Sequence, residues 1–105
     1  RPGVLAGELY DMAVDRADAL GYGDYFMGAG PDRIRFVGHG TGLELDEYPF
    51  IAKGQKVTLE AGMCIALEPK LIFPGRGVTG IENTHIVTAD GLEPLTTFEE
   101  NIVLV

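Results

Sequence analysis

Two apolar runs on either side of Pro74-Gly75-Arg76-Gly77 constrain the fold of this chain more than any other feature. Residues 64–73 and 78–88 are the longest strand candidates, and a turn of Pro and Gly between them indicates a β-hairpin. If the hairpin is centred on Gly75, paired positions sum to 150, so Glu68 lies directly opposite Glu82. Their β-carbons would be about 5 Å apart on one face of the hairpin. A shift of one residue would place the two side chains on opposite faces.

Two carboxylates at that distance repel each other unless one is protonated or a cation lies between them. His39 adds a third possible ligand within Gly38-His39-Gly40-Thr41-Gly42, where three glycines in five residues let the backbone approach a ligand closely. One imidazole and two carboxylates form a hard donor set that suits Mn²⁺, Co²⁺, Fe²⁺ or Zn²⁺. The pattern alone is also typical of glutamates on a solvated face and of a hydrogen-bonded loop histidine. If the metal site exists, three ligands are too few for a pair of ions, so further ligands are expected outside this chain.

The first part of the chain predicts an amphipathic helix over residues 4–20, because apolar residues recur there at intervals of three and four. Gly21 suits the left-handed position that ends a helix, and residues 21–33, rich in Gly, Asp and Pro, predict a loop. The face expected to be buried consists of Leu5, Leu9, Met12, Ala13, Arg16 and Leu20.

The rest of the chain predicts β-strands. Leu43 to Asp46 alternates like a half-buried strand, Ala89-Asp90-Gly91 is typical of a hairpin turn, and Ile102 to Val105 is expected to form the last strand. One helix followed by antiparallel strands indicates the α+β class. The 105 residues are expected to form a single domain over positions 1–105, and the start at Arg1-Pro2-Gly3 suggests a piece of a longer polypeptide.

The net charge and the cysteine content limit the kinds of binding partner and the cellular compartment that we expect. Sixteen acidic and eight basic residues give a net charge of −8, which argues against binding nucleic acid or an anionic membrane. No apolar stretch approaches the ~20 residues of a membrane helix. The single cysteine, Cys64, cannot form a disulfide within the chain, so a reducing, cytoplasmic location is expected.

The segments GHGTGLELDEYP and LEAGMCIALEPKLIFPGRGVTGIENTHIVTADGLEPLT carry a resemblance that covers nearly the whole chain. They are similar to the C-terminal half of the pita-bread metallopeptidases, the creatinase/methionine aminopeptidase superfamily, and most like its Xaa-Pro dipeptidases and aminopeptidase P. The resemblance implies part of a pita-bread fold, with one amphipathic helix packed on a curved, mainly antiparallel sheet. It also implies that the upstream half of the catalytic domain is absent.

The resemblance further implies a site with two divalent ions, Mn, Co or Zn, held by two aspartates, a histidine and two glutamates. Here His39 matches the histidine, Glu68 the first glutamate and Glu82 the bridging glutamate, and Glu68 would also handle the proton of the attacking water. The two aspartates lie upstream in the family. The isolated chain is therefore expected to bind metal partially or not at all.

Three positions depart from the family pattern in residues that handle substrate. Asp46 replaces a histidine that can hydrogen-bond the scissile amide or its carbonyl, Arg35 replaces a second histidine, and Gly80 replaces an arginine common two residues before the last glutamate. We assign Asp46 a catalytic role beside Glu68, and Arg35 a weak role in substrate binding. His85 receives a weak substrate-binding assignment as well, since packing on the opposite face suits it better.

The expected function is that of a Xaa-Pro dipeptidase-like metallopeptidase in the full-length protein. Its substrate would be a short peptide, it would form a homodimer, and this fragment alone would be inactive. One alternative is a creatinase-like hydrolase or peptide-binding member that kept the fold and changed its chemistry. The other is an inert structural fragment whose exposed sheet edge pairs with a second copy.

Overall fold

A computed structural model describes residues 1–105 with the exception of the Asp32 side chain. The chain forms one α-helix, a short 3-10 helix at Gly30–Asp32, and seven β-strands. Their bounds are α1 Ala6–Ala19, β1 Phe36–Gly40, β2 Glu47–Ala52, β3 Cys64–Leu67, β4 Lys70–Phe73, β5 Gly77–Gly80, β6 Asn83–Val87 and β7 Leu92–Pro94. Among the described residues, no helix combines the length and the apolar composition that crossing a bilayer requires.

The strands form two antiparallel sheets. A five-stranded sheet has the order β2-β1-β3-β6-β7, while β4 and β5 pair with each other as a separate two-stranded sheet. One helix packed on antiparallel sheet confirms the predicted α+β class. The predicted turn at 89–91 is confirmed as well, since the Thr88 amide donates to the Gly91 carbonyl and β6 pairs with β7.

Helix α1 begins and ends close to the predicted positions, and its ends are capped. The Leu5 amide donates to the Glu8 carboxylate over 3.1 Å at the start of the helix. At the end, Gly21 has a φ of 83°, its amide donates to Asp18, and the Tyr22 amide donates to the Ala17 carbonyl. This is the Schellman arrangement, which satisfies helix carbonyls that have no partner within the helix.

The predicted buried face of α1 is only partly correct: Leu9 and Ala13 pack against the core, but Met12, Arg16 and Leu20 are exposed. Met12 is 63 % exposed and Leu20 57 % exposed, whereas Ala6, Tyr10 and Ala17 are buried against the sheet. Close packing selects this face, because a β-carbon at Gly7 would lie 2.8 Å from the Gln55 carbonyl oxygen. Small side chains let the helix approach the chain after β2 more closely than a face of Leu and Met would allow. The fully buried side chains of the core are Met27, Ile51, Leu59, Ile65 and Val87.

Four predicted strands differ in the structure. Residues 64–73 and 78–88 are each divided in two, and Pro69 lies at the first break, where it has no amide hydrogen to donate to a ladder. Residues 43–46 form a bend instead of a strand, since the Glu47 carboxylate accepts the Glu44 amide over 3.1 Å. Residues 102–105 are exposed and form no strand among the described residues, and the last strand is β7.

Candidate metal centre

The strand register brings His39, Glu68 and Glu82 to one face of the sheet. His39 pairs with Ala66, and Ala66 pairs with Thr84, so these three residues share a face. Glu68 lies two residues after Ala66 and Glu82 two residues before Thr84, which keeps both glutamates on that face. One possible ligand atom from each of His39, Glu68 and Glu82 lies within 4.8 Å of the others.

The predicted hairpin register is confirmed on both sides of the glutamates. Leu67 pairs with Asn83 in the larger sheet, and Lys70 pairs with Gly80 in the smaller one, so paired positions sum to 150 in both. Between these pairs the hairpin pairing is interrupted, while the Glu68 amide donates to the Val37 carbonyl over 2.9 Å in the register of the β1–β3 pairs. The glutamates therefore lie where the two sheets meet, and Glu68 is next to the start of β1.

His39 is held in one orientation by its neighbours. Its side chain is nearly fully buried, and side chains at Gly38 or Gly40 would collide with the Ala66 or Tyr48 carbonyl oxygen. The Nδ1 atom lies 2.8 Å from the Gly40 carbonyl oxygen, so Nδ1 must carry the hydrogen of that bond. In the neutral ring this leaves a lone pair on Nε2, the atom that faces the carboxylates.

Three carboxylates surround the Nε2 atom of His39. The distances are 2.9 Å to Asp46 Oδ1, 3.3 Å to Glu68 Oε2 and 3.9 Å to Glu82 Oε1. Burial of the imidazole lowers the pKa of His39, but the Gly40 carbonyl and the Asp46 and Glu68 carboxylates outweigh it, so the pKa stands above its usual value of 6.5. Without a metal ion, these contacts therefore stabilise the protonated imidazole more than water stabilises that of a free histidine.

The residues present fit a divalent metal ion. A buried imidazole nitrogen and carboxylate oxygens from separate strands converge without a thiolate, and this donor set suits Mn²⁺, Co²⁺ or Zn²⁺. The hydrogen bond from Nδ1 to a carbonyl is the outer contact that metal-binding histidines usually make.

The structure brings Asp46 into this cluster as well, although residues 43–46 are not a strand. Its side chain is 63 % exposed, and its carboxylate is the closest of the three to His39 Nε2. Asp46 is thus placed to contact a metal ion or a substrate bound beside His39 Nε2. Its catalytic role stays a prediction.

Arg35 and His85 are not brought to the cluster. Arg35 is exposed and lines a separate cavity beside α1, together with Tyr10 and Asp11. His85 pairs with Ile65, a fully buried residue one position before Ala66, so it faces away from His39. Their proposed contacts with substrate find no support in this geometry.

Sequence reasoning missed Lys70. Its Nζ atom lies 3.3 Å from Glu68 Oε1, and both side chains are largely buried. The hairpin register could have predicted that Lys70 lies near Glu68 and opposite Gly80, but not the contact with Met27 that holds it there.

Comparison with known proteins identifies the family of this chain. The sequence profile of metallopeptidase family M24 matches residues 1–89. The chain belongs to metallopeptidase family M24. Among curated proteins, it is 41 % identical to the Xaa-Pro dipeptidase of Lactobacillus delbrueckii subsp. lactis over 96 residues, which cover 91 % of this chain and 24 % of that protein.

Solved structures of a prolidase and an X-Pro aminopeptidase match the fold. The prolidase from Pyrococcus furiosus superposes with a TM-score of 0.83 at 38 % identity, covering 95 % of this chain and 28 % of that one. The X-Pro aminopeptidase from Thermotoga maritima MSB8 has a TM-score of 0.87 at 28 % identity, covering 100 % of this chain and 28 % of that one. These matches confirm the predicted pita-bread fold. The M24 chain spans about a quarter of the length of the relatives it matches.

Proposed function

We propose that this chain contributes part of the active site of a Xaa-Pro dipeptidase-like hydrolase. His39, Glu68 and Glu82 would bind two divalent metal ions together with two carboxylates from outside this chain. One observation carries the proposal: in a chain of a metallopeptidase family, the ligand atoms of these three residues lie within 4.8 Å of one another. The likeness to Xaa-Pro dipeptidases supports the finer substrate class, a short peptide with a free N-terminus.

Each residue of the cluster has a distinct task in this proposal. The metal ions would supply Lewis acidity and make water nucleophilic near neutral pH. His39 offers the Nε2 lone pair because Nδ1 donates to Gly40. Glu68 is suited to accept the proton of the attacking water, since it is mostly buried and one oxygen faces His39. Asp46, when ionised, only accepts hydrogen bonds, so it could not donate one to the scissile carbonyl, and the nitrogen of a Xaa-Pro bond has no hydrogen to donate to Asp46.

The acceptor-only chemistry of Asp46 also supports a second candidate function. A creatinase-like hydrolase or a peptide-binding member would retain the metal ligands but act on a different bond, or on none. Measuring the cleavage of Xaa-Pro dipeptides by the intact protein separates the two, because only the dipeptidase hypothesis expects release of free proline.

We propose further that manganese, cobalt or zinc is the working metal, that the intact protein is a homodimer, and that it acts in the cytoplasm. The oxygen-rich donor set supports manganese. The single free cysteine, Cys64, supports a reducing compartment. The dimer rests on the family resemblance alone.

The first experiment is a calorimetric titration of this chain with Mn²⁺ and Co²⁺. Glu82→Gln removes a charged ligand at nearly constant volume, whereas Glu93→Gln alters an exposed carboxylate in β7 as a matched control. We expect weak binding that Glu82→Gln abolishes and Glu93→Gln leaves unchanged. Equal binding by all three chains would contradict the assignment of the cluster.

The same titration on the intact protein completes the test. Two further carboxylates should tighten binding strongly, because metal affinity rises with ligand number and charge. We expect the intact protein to hydrolyse Xaa-Pro dipeptides and the isolated chain to be inactive. An intact protein that binds no metal would refute the proposed function.

A further inference from the structure

The main chain of Lys70 is held by two contacts with Met27, in addition to its pairing within β4 and β5. The Met27 amide donates to the Lys70 carbonyl over 2.8 Å, and the Lys70 amide contacts Met27 Sδ at 3.4 Å. Met27 is fully buried and has a φ of 58°, a left-handed conformation that costs free energy in a residue with a side chain. Such local strain persists where the surrounding structure holds the chain in place, often near functional sites.

The residue opposite Lys70 leaves space for it. Lys70 pairs directly with Gly80, and a β-carbon at position 80 would lie 2.8 Å from the Lys70 β-carbon and 2.9 Å from the Pro69 carbonyl oxygen. Any side chain at position 80 would therefore displace the start of β4. The absence of a side chain there and the position of Lys70 depend on each other.

The ammonium group of Lys70 divides the two oxygens of Glu68 between different partners. Lys70 Nζ lies 3.3 Å from Glu68 Oε1, while Glu68 Oε2 lies 3.3 Å from His39 Nε2. The side chains of Lys70 and Glu68 are only 28 % and 15 % exposed, so water screens this contact less than it would screen a surface pair.

Lys70 also offsets like charge beside the cluster. Glu68 and Glu82 both line a cavity of about 230 Å³, and among its described lining residues Lys70 is the only cation. Without the ammonium, repulsion between the two carboxylates would favour turning Glu68 away from Glu82.

We propose that Lys70 is a positioning residue for Glu68. It holds Oε1 so that Oε2 stays directed at the His39 side of the metal centre, and Met27 and Gly80 keep Lys70 where it can do so. The inference rests on the proposed function, because the orientation of Glu68 matters to catalysis only if Glu68 binds metal or accepts the proton of water.

The test uses the intact protein and three variants. Lys70→Met removes the charge at similar length, Lys70→Arg retains it, and Lys53→Met removes an exposed lysine that lines the separate cavity beside α1. For each, Mn²⁺ affinity is measured by calorimetry, and kcat and KM for a Xaa-Pro dipeptide are measured at saturating Mn²⁺.

We expect Lys70→Met to lower kcat or Mn²⁺ affinity by about 10- to 100-fold, the usual effect of removing an outer contact of a metal ligand, with little change in KM. Lys70→Arg should recover most of the loss, and Lys53→Met should match the unaltered protein. Circular dichroism melting should show that all four proteins are folded at the assay temperature.

Two other results are informative in different ways. An active unaltered protein with an equally active Lys70→Met variant would overturn this inference and leave the proposed function standing. An unaltered protein that neither binds Mn²⁺ nor cleaves the dipeptide would overturn both.

Discussion

At the scale of single residues, His39 couples proton binding to folding. Because the pKa of His39 is raised above 6.5 in the folded chain, the folded state binds the proton more tightly than the unfolded state. This contribution to stability is present below pH 6.5 and is lost as the pH rises through the folded-state pKa. We predict that the metal-free chain becomes less stable over that range, as measured by urea unfolding in the presence of a chelator.

Two controls isolate His39. The His39→Gln variant should lose this pH dependence, and the titration should stay above about pH 5.5, where Asp and Glu remain largely ionised. If the free energy of unfolding depends on pH in the same way in the unaltered chain and in His39→Gln, His39 is not the group responsible.

Metal ions should reverse the sign of this dependence. A metal ion and a proton compete for the Nε2 atom of His39, so Mn²⁺ affinity should fall by about tenfold for each pH unit below the pKa of His39. Calorimetric titrations at several pH values measure this directly, and they should also show a proton released on binding. An affinity independent of pH would mean that Nε2 is not a ligand.

At the scale of elements, the buried face of α1 is open to a direct comparison. Tyr10 is 7 % exposed and packs in the core, whereas Met12, on the face that periodicity favoured, is 63 % exposed. We predict that Tyr10→Ala lowers the free energy of unfolding by about 3 kcal/mol. Met12→Ala should change it by no more than about 0.5 kcal/mol. Urea denaturation of both variants checks this. Equal losses in the free energy of unfolding would mean that α1 does not bury the face that contains Tyr10.

This helix shows where sequence reasoning stops. The existence and the ends of α1 could be predicted from local signals, such as the spacing of apolar residues and Gly21. The same residues, however, form two overlapping apolar faces, and either could be buried. The choice between them depends on the close approach of Gly7 to the backbone of Gln55, a contact made only in the folded chain. Likewise, Leu43 and Leu45 alternate as in a strand, yet both side chains are exposed because the segment connects β1 to β2 as a bend.

The hairpin was predictable for the opposite reason. One turn centred on Gly75 determines the register of every pair beyond it, so the juxtaposition of Glu68 and Glu82 followed from counting residues. The contribution of Lys70 could not be predicted by counting residues, because it depends on the contact with Met27, which lies 43 residues earlier in the chain.

At the scale of the whole molecule, net charge and exposed apolar surface act against each other. Large apolar side chains that are mostly exposed include Leu43, Leu45, Phe98, Ile102 and Leu104. Burying such surface against a second copy is favourable, at about 25 cal/mol for each Å² of apolar area removed from water. The net charge of −8 on each copy opposes association, since like-charged molecules repel.

The salt concentration should therefore determine whether apolar attraction exceeds charge repulsion between two copies. At about 0.1 M salt the screening length is about 10 Å, and at 1 M it is about 3 Å, so repulsion weakens while apolar attraction persists. We predict that the chain associates in a concentration-dependent way, more strongly in high salt, as measured by sedimentation velocity. Replacing Ile102 and Leu104 with Ser should weaken association if the C-terminal segment forms the contact. A single monomeric species at every concentration and salt level would show that the exposed side chains do not bind a second copy, because repulsion is screened in high salt and cannot account for that result.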